Sequence, residues 1–158
     1  MHKVVLPMAL LVFSGCATCR VSKEQLAELD KKASDVSPVL CTPQTCPDLW
    51  DRAQVWLERH STYKLQMVHS AVMETFNPLK RDSFDEEYQF SVTKEPLGNS
   101  TYSIAMSANC RPSVAAGKNW VPTGATCTPS PKQITAAFRH YLATGEDVLA
   151  GKQWCSVR

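Results

Sequence analysis

Residues 87–108 read EYQFSVTKEPLGNSTYSIAMSA, and they carry the strongest structural signal in this chain. On each side of the central PLGNS, apolar residues alternate with polar or small residues. A period of two is typical of a strand that buries one face and exposes the other. Proline, glycine and asparagine in the central segment favour a turn. We therefore predict an antiparallel β-hairpin over these residues, with residues 96–100 as its loop.

Amphipathic helices are predicted before and after the hairpin. Residues 47–60 place Trp50 and Trp56 on one face at helical spacing, with acidic residues early and basic residues late. Two tryptophans on one face indicate a helix that packs on a sheet. The second helix is predicted to begin at Pro131, after a serine that can cap it, and to end at Gly145.

A further strand and a polar loop are predicted between the first helix and the hairpin. Residues 63–76 favour a strand, but their apolar positions change parity, so we expect one long strand with a bulge near Ser70. Residues 77–85 are expected to form the polar loop. The element order predicts an α+β fold, a two-layer sandwich of helix, antiparallel meander of three or four strands, and helix. This order loosely resembles small exported domains of the helix-grip and TATA-box-binding-protein-like types, and small lipoproteins of outer-membrane assembly machines.

The first sixteen residues have the features of an export leader. A basic start precedes an uncharged apolar run over residues 4–13, which is shorter than the roughly 20 residues that a membrane-spanning helix needs. Residues 13–16, FSGC, resemble the lipobox of bacterial lipoproteins, although most members have leucine where this chain has Phe13. The resemblance implies that the leader, residues 1–15, is removed and that Cys16 is acylated. The alternatives are a secretory leader cut elsewhere and a buried N-terminal helix.

The lipobox resemblance also implies where the protein resides. Two or three acyl chains on Cys16 anchor a protein stably to a membrane. In Gram-negative lipoproteins an aspartate after the lipidated cysteine favours the inner membrane, so Ala17 implies an outer-membrane protein facing the periplasm in such a host. We expect residues 16–40 to be a lipidated tether, a solvated linker in which residues 22–25 open only a transient helix. Residues 41–158 are expected to form one domain.

The cysteines indicate disulfide bonds. If Cys16 carries lipid, six of the seven cysteines remain, namely Cys19, Cys41, Cys46, Cys110, Cys127 and Cys155. An even number in an exported domain is typical of a disulfide framework. Zinc would require closely spaced cysteine pairs or nearby histidines at ligand spacing, and these six provide neither, so no metal or cofactor is expected.

The pairing of the cysteines is predicted only in part. Cys110 ends a strand and Cys127 precedes a helix that returns over the same sheet, so we predict that these two are bonded. Cys41 and Cys46 are expected either to bond to each other or to supply the partner that ties down the tail through Cys155.

Trp120 is the residue that we single out for partner binding. It lies in residues 111–130, a long segment rich in proline and glycine that a Cys110–Cys127 bond would close. An aromatic residue on a closed loop can anchor a partner. Alternatively, Trp120 folds back over an open end of the sheet.

No catalytic motif is recognised in the chain, so we expect a protein without enzymatic activity. Seventeen basic residues balance fifteen acidic ones, which gives no reason to expect a nucleic-acid partner. His69 is interpreted as a core or edge residue, and the acidic residues 85–87 as a solvated edge. We expect a membrane-anchored envelope lipoprotein that binds another envelope protein or supports a complex. The alternatives are an inhibitor of an external hydrolase such as lysozyme, and an enzyme with an unrecognised site.

Overall fold

The computed structural model describes residues 21–35, 37–61, 63–76, 87–111 and 127–150. These residues form, in chain order, α1 Lys23–Ala33, β1 Val39–Cys41, α2 Cys46–His60, β2 Leu65–Val68, β3 Val72–Thr75, β4 Glu87–Gly98, β5 Thr101–Arg111 and α3 Pro131–Thr144. The strands make one antiparallel sheet in the order β1-β5-β4-β3-β2. The helices share one buried cluster with one face of this sheet. The predicted α+β two-layer sandwich is therefore confirmed.

The predicted hairpin is the centre of the sheet. In β4 and β5, Phe90 faces Ala108 and Val92 faces Met106 across the ladder, so the apolar positions of both strands share the core face. The loop is shorter than the expected residues 96–100, because the strands continue to a tight turn at Asn99 and Ser100. Both turn residues have positive φ, 49° and 56°, as the favoured two-residue hairpin turn requires.

The long strand expected over residues 63–76 is a hairpin instead. β2 and β3 pair antiparallel across a turn that is closed by a 2.7 Å hydrogen bond from His69 N to Val72 O. The change of parity near Ser70 therefore reflects a reversal of the chain. The irregularity in the ladder lies between Leu65 and Met67. With the short β1, this hairpin gives the sheet five strands where three or four were expected.

The expectation of a solvated tether up to residue 40 is wrong for its described part, because α1 belongs to the folded domain. Ser22 caps α1 and forms a reciprocal capping box with Gln25. Leu29 is 2% exposed within the main core. Asp30 accepts a 2.7 Å hydrogen bond from the amide of Gln133 in α3. The folded unit therefore begins before the boundary expected at residue 41.

Aromatic side chains join the two layers. Trp56 of α2 lies 5.7 Å from the Phe90 ring of the sheet and 5.3 Å from the Phe138 ring of α3, both edge-on. Edge-to-face pairs at such distances add stabilisation beyond the burial of their area. The two predicted helices, α2 and α3, therefore pack against each other above β4. Their contact is made by Trp56 of α2 and Phe138 of α3.

Two disulfides close the described part of the domain, which confirms the expectation that cysteines are oxidised. Cys41 and Cys46 are bonded with their Cα atoms 5.0 Å apart, and this bond joins the end of β1 to the start of α2. Cys110 and Cys127 are bonded with a Cα separation of 6.4 Å, within the range that disulfides adopt. The second bond holds the end of β5 to the segment before α3. Cys155 lies outside the described residues.

Candidate functional site

A cleft of about 390 Å³ opens at the end of the sheet where β4 and β5 meet in their turn. One wall comes from the start of α2 and the loop before it, and the other from β4, β5 and the turn between β2 and β3. The side chains that define it are Pro43, Pro47, Trp50, Asp51, Lys94 and Tyr102. Most of the cleft surface is apolar. Its charged groups are one acidic side chain, Asp51, and one basic side chain, Lys94. Such a mixture suits a binding site, where apolar contact supplies affinity and a few polar groups fix orientation.

The wall formed by the loop before α2 is held rigidly. The Cys41–Cys46 disulfide closes the loop, and Cys46 N donates a 2.8 Å hydrogen bond to Thr42 O within it. Pro47 stands in the first turn of α2, where its fixed φ suits the helix. A cleft whose walls are already ordered loses little conformational entropy when a ligand enters.

Tyr102 is fixed from both sides on the opposite wall. It faces Cys41 across the ladder to β1 and Pro96 across the ladder to β4. The ring is half-buried and shares the core-facing side of β5 with Ile104 and Met106. The aromatic surface that Tyr102 presents to the cleft is therefore a continuation of the core at its open end.

Lys94 occupies the core-facing register of β4, in line with Phe90 and Val92. Its backbone N–H is satisfied by a 2.8 Å hydrogen bond to Ala71 O. Its Nζ stands 4.9 Å from the centre of the Trp50 ring, within the range of a cation–π contact. Among the described residues, no carboxylate lies within 4.0 Å of this ammonium group. The cleft thus holds a half-buried cation that is stabilised by an aromatic face and has no counter-ion in the described part of the chain.

The sequence analysis did not identify Lys94 as a functional residue. A usable signal was present, because Lys94 stands two residues after Val92, where the alternation calls for another apolar side chain. A charged residue in a core-facing position requires a special environment. Trp50 was predicted to pack on the sheet, but the structure places it half-buried at the edge of that contact.

A second polar arrangement lies inside the domain and joins α2 to the turn after α3. His60 Nε2 and Asp147 Oδ2 are 2.9 Å apart, with side chains only 4% and 8% exposed. An ionised carboxylate can only accept, so Nε2 carries the proton and donates it. The other ring nitrogen, Nδ1, has no hydrogen-bond partner among the described residues. The Trp56 ring lies 4.4 Å from the imidazole.

This buried pair is suited to a structural role. Burial lowers the pKa of His60 from its ordinary value of 6.5, and the nearby Asp147 opposes that effect only in part. The histidine is therefore neutral at neutral pH, and the pair behaves as a hydrogen bond. The cleft described above has no histidine in its lining.

The residues singled out from the sequence are only partly described by the structure. Cys16, Trp120 and Cys155 lie outside the described residues, and so do residues 85 and 86 of the acidic cluster. His69 is exposed in the turn between β2 and β3, where its Nδ1 is 3.3 Å from the Ser70 hydroxyl. His140 lies 3.1 Å from Glu146, a carboxylate of the surface.

The described segments lack two features that mark other functional classes. They contain no helix that is long and apolar enough to cross a membrane. They also contain no group of three or more metal-binding side chains in a suitable arrangement. Comparison with protein-family models, with curated proteins and with solved structures finds no match to this chain.

Proposed function

We propose that this protein is an envelope lipoprotein, anchored through Cys16, whose folded domain binds a protein partner without catalysing a reaction. The observation that carries the proposal is the succession of an apolar leader, the residues FSGC, and a domain with two disulfides. Disulfides persist in oxidising compartments, which is where a lipobox leader delivers a protein. The two features are independent, and both favour a location outside the cytoplasm. In a Gram-negative host, Ala17 after the lipidated cysteine further favours the outer membrane by the lipobox resemblance.

The cleft supports a binding role over a catalytic one. Its polar groups are the carboxylate of Asp51, the hydroxyls of Ser70 and Tyr102, the indole N–H of Trp50 and the ammonium of Lys94. The one cysteine in its lining, Cys46, is bonded to Cys41 and offers no thiolate. The Ser70 hydroxyl lies 3.3 Å from His69 Nδ1, but both side chains are exposed in the turn between β2 and β3. Among the described residues no third group bonds to this imidazole to orient it, as an activated nucleophile requires. The cleft instead combines apolar contact area with single charges, which is how protein partners are recognised.

Attachment of the protein to the membrane is expected to depend entirely on acylation of Cys16. Cells grown with a fatty-acid analogue should label the wild-type protein, and the Cys16→Ser variant should lose the label and leave the membrane fraction, because acyl chains supply the membrane affinity. Cys19→Ser is the matched control, since it removes a nearby thiol and should keep both label and location. Persistent labelling of Cys16→Ser would overturn the proposed anchoring.

Inhibition of an external hydrolase is the second candidate function. The observation in its favour is the Cys110–Cys127 disulfide. It joins two cysteines that are 17 positions apart in the sequence, and Trp120 lies between them. A closed loop with an aromatic residue is a common way to fill an enzyme cleft. Purified protein should be mixed in excess with lysozymes of several classes. Loss of lysozyme activity, relieved by Trp120→Ala, would favour this function, and unchanged activity would exclude it for these enzymes.

A further inference from the structure

The ammonium of Lys94, which has no ion-pair partner among the described residues, indicates what the cleft binds. Lys94 is half-buried, and a cation in such a position is normally matched by an opposite charge. The Trp50 ring at 4.9 Å stabilises the cation, but no acceptor for its N–H donors is found among the described residues. We propose that the ligand of this cleft is an acidic side chain next to an apolar residue, within a segment of the partner protein. This inference deepens the proposed binding function and rests on it.

The apolar part of the ligand is expected to lie on Trp50 and Tyr102. Both rings are half-buried, so each keeps surface to cover, and Pro43 adds an exposed apolar surface at the rim. Large aromatic groups at the centre of a contact contribute most of the binding energy. A cleft of about 390 Å³ is at the small end of ligand sites, which suits one or two side chains rather than an entire domain face.

Asp51 determines which kinds of anion the cleft can accept. It lines the same cleft, yet its carboxylate is more than 4.0 Å from the Lys94 ammonium, since no ion pair forms between them. A negative charge at the rim repels ligands that carry several negative charges, such as phosphorylated glycolipids or nucleic acids. It tolerates a single carboxylate that is directed at Lys94. The pair of charges therefore favours a peptide over a polyanion.

A side-chain carboxylate fits this site better than the carboxylate at the end of a chain. Terminal carboxylates are typically captured by successive backbone N–H groups. Here the group that faces the cleft is a lysine side chain, and the backbone N–H of Lys94 is already bonded to Ala71 O. A flexible ammonium group can follow a glutamate or aspartate within an extended segment. We therefore commit to an internal acidic residue.

The experiment uses three short peptides as probes of the cleft. Ac-Gly-Leu-Glu-Gly-NH2 carries the proposed pattern, Ac-Gly-Leu-Gln-Gly-NH2 has the same shape without the charge, and Ac-Gly-Gly-Leu-OH presents a terminal carboxylate. Each is titrated into the 15N-labelled full-length protein in detergent micelles, and the indole N–H signal of Trp50 is followed. We expect the glutamate peptide to bind about fivefold more tightly than the other two, which is the effect of one partly desolvated charge pair.

Variants separate the role of Lys94 from non-specific attraction. Lys94→Gln should remove the about fivefold preference for the glutamate peptide, and Lys64→Gln, an exposed lysine outside this cleft, should keep it. A spectrum with unchanged dispersion shows that each variant is folded. Equal binding of the glutamate and glutamine peptides, tighter binding of the terminal carboxylate, or an unaltered preference in Lys94→Gln would overturn the inference. None of these outcomes affects the labelling test of Cys16. If the peptides show no preference, the proposed anchoring is still decided by that separate test.

Discussion

Replacing Trp56 with alanine is expected to lower the free energy of unfolding by about 3–5 kcal/mol. The side chain is fully buried, and its ring contacts Phe90 of the sheet, Phe138 of α3 and His60 of its own helix. Truncation leaves a cavity where the two layers meet, so both the transfer free energy and the packing around the cavity are lost. Urea denaturation followed by far-ultraviolet circular dichroism measures the change.

Two further variants keep the Trp56 prediction testable. The free energy of unfolding of a small domain is about 5–15 kcal/mol. If this domain lies at the low end of that range, Trp56→Ala is already unfolded before any urea is added. Trp56→Phe retains an aromatic ring and is expected to cost less than Trp56→Ala. Val55→Ala lies next to it on α2 with 37% of its surface exposed, and should change stability by less than about 0.5 kcal/mol. If Trp56→Ala were as stable as Val55→Ala, the described core would be wrong.

Replacing Asp147 with alanine is expected to cost about 1–3 kcal/mol at pH 8. The substitution leaves the buried Nε2–H of His60 without its acceptor at 2.9 Å. It also removes the oxygen that accepts from Leu149 N at 3.1 Å, and Leu149 is itself in the core. Glu146→Ala is the matched control, because this neighbouring carboxylate is exposed and pairs with His140 at the surface. A cost for Glu146→Ala as large as that for Asp147→Ala would contradict the buried pair.

Acid is expected to destabilise the protein through His60. Its pKa in the folded state is lowered by burial, so below the ordinary value of 6.5 the unfolded chain binds a proton that the folded chain resists. The contribution of His60 to the free energy of unfolding is therefore fully present above pH 6.5. It is lost as the pH falls through the pKa of the folded state, by at most about 1.4 kcal/mol per pH unit. His60→Gln should flatten the slope between pH 7 and pH 5, whereas exposed His69→Gln should not. An unchanged slope in His60→Gln would show that other groups govern acid sensitivity.

The parts of the fold that the sequence predicts are those with long, uninterrupted periodicity. β4 and β5 alternate over many residues, and α2 and α3 keep an apolar stripe over several turns between a proline and a clear end. In these segments local preference and burial agree, and such agreement makes a prediction robust.

The elements that were not predicted from the sequence are short or depend on tertiary contacts. β1 has three residues, too few to show a period, and it exists because it pairs with β5. The β2–β3 turn lacks the glycine or proline that normally marks a reversal. α1 shows few apolar residues of its own, and its place is fixed by buried Leu29 and by polar bonds to α3. None of these contacts can be seen in a single sequence.

The candidate site illustrates the same limit. Both disulfide pairs were among the pairings predicted from the sequence, and the tryptophans of α2 were predicted to pack on the sheet. The contact between Trp50 and Lys94 was not predicted, because these residues are 44 positions apart in the chain and are brought together by the packing of α2 over the end of β4. The alternation alone places Lys94 on the core-facing side of β4, but only the structure shows that Trp50 lies against it.

The decisive measurement is photo-crosslinking in living cells, with a photoreactive amino acid at Ser70 or at Ala105. Ser70 is exposed in the lining of the cleft, whereas Ala105 is exposed on the sheet face opposite the helices. We predict that Ser70 forms an adduct with a membrane-fraction protein and that Ala105 does not. The adduct should disappear in Lys94→Gln, which alters the cleft, and in Cys16→Ser, which releases the protein from the membrane. Equal adducts from both positions, or an adduct that survives both substitutions, would contradict a lipid-anchored protein that docks its partner in this cleft.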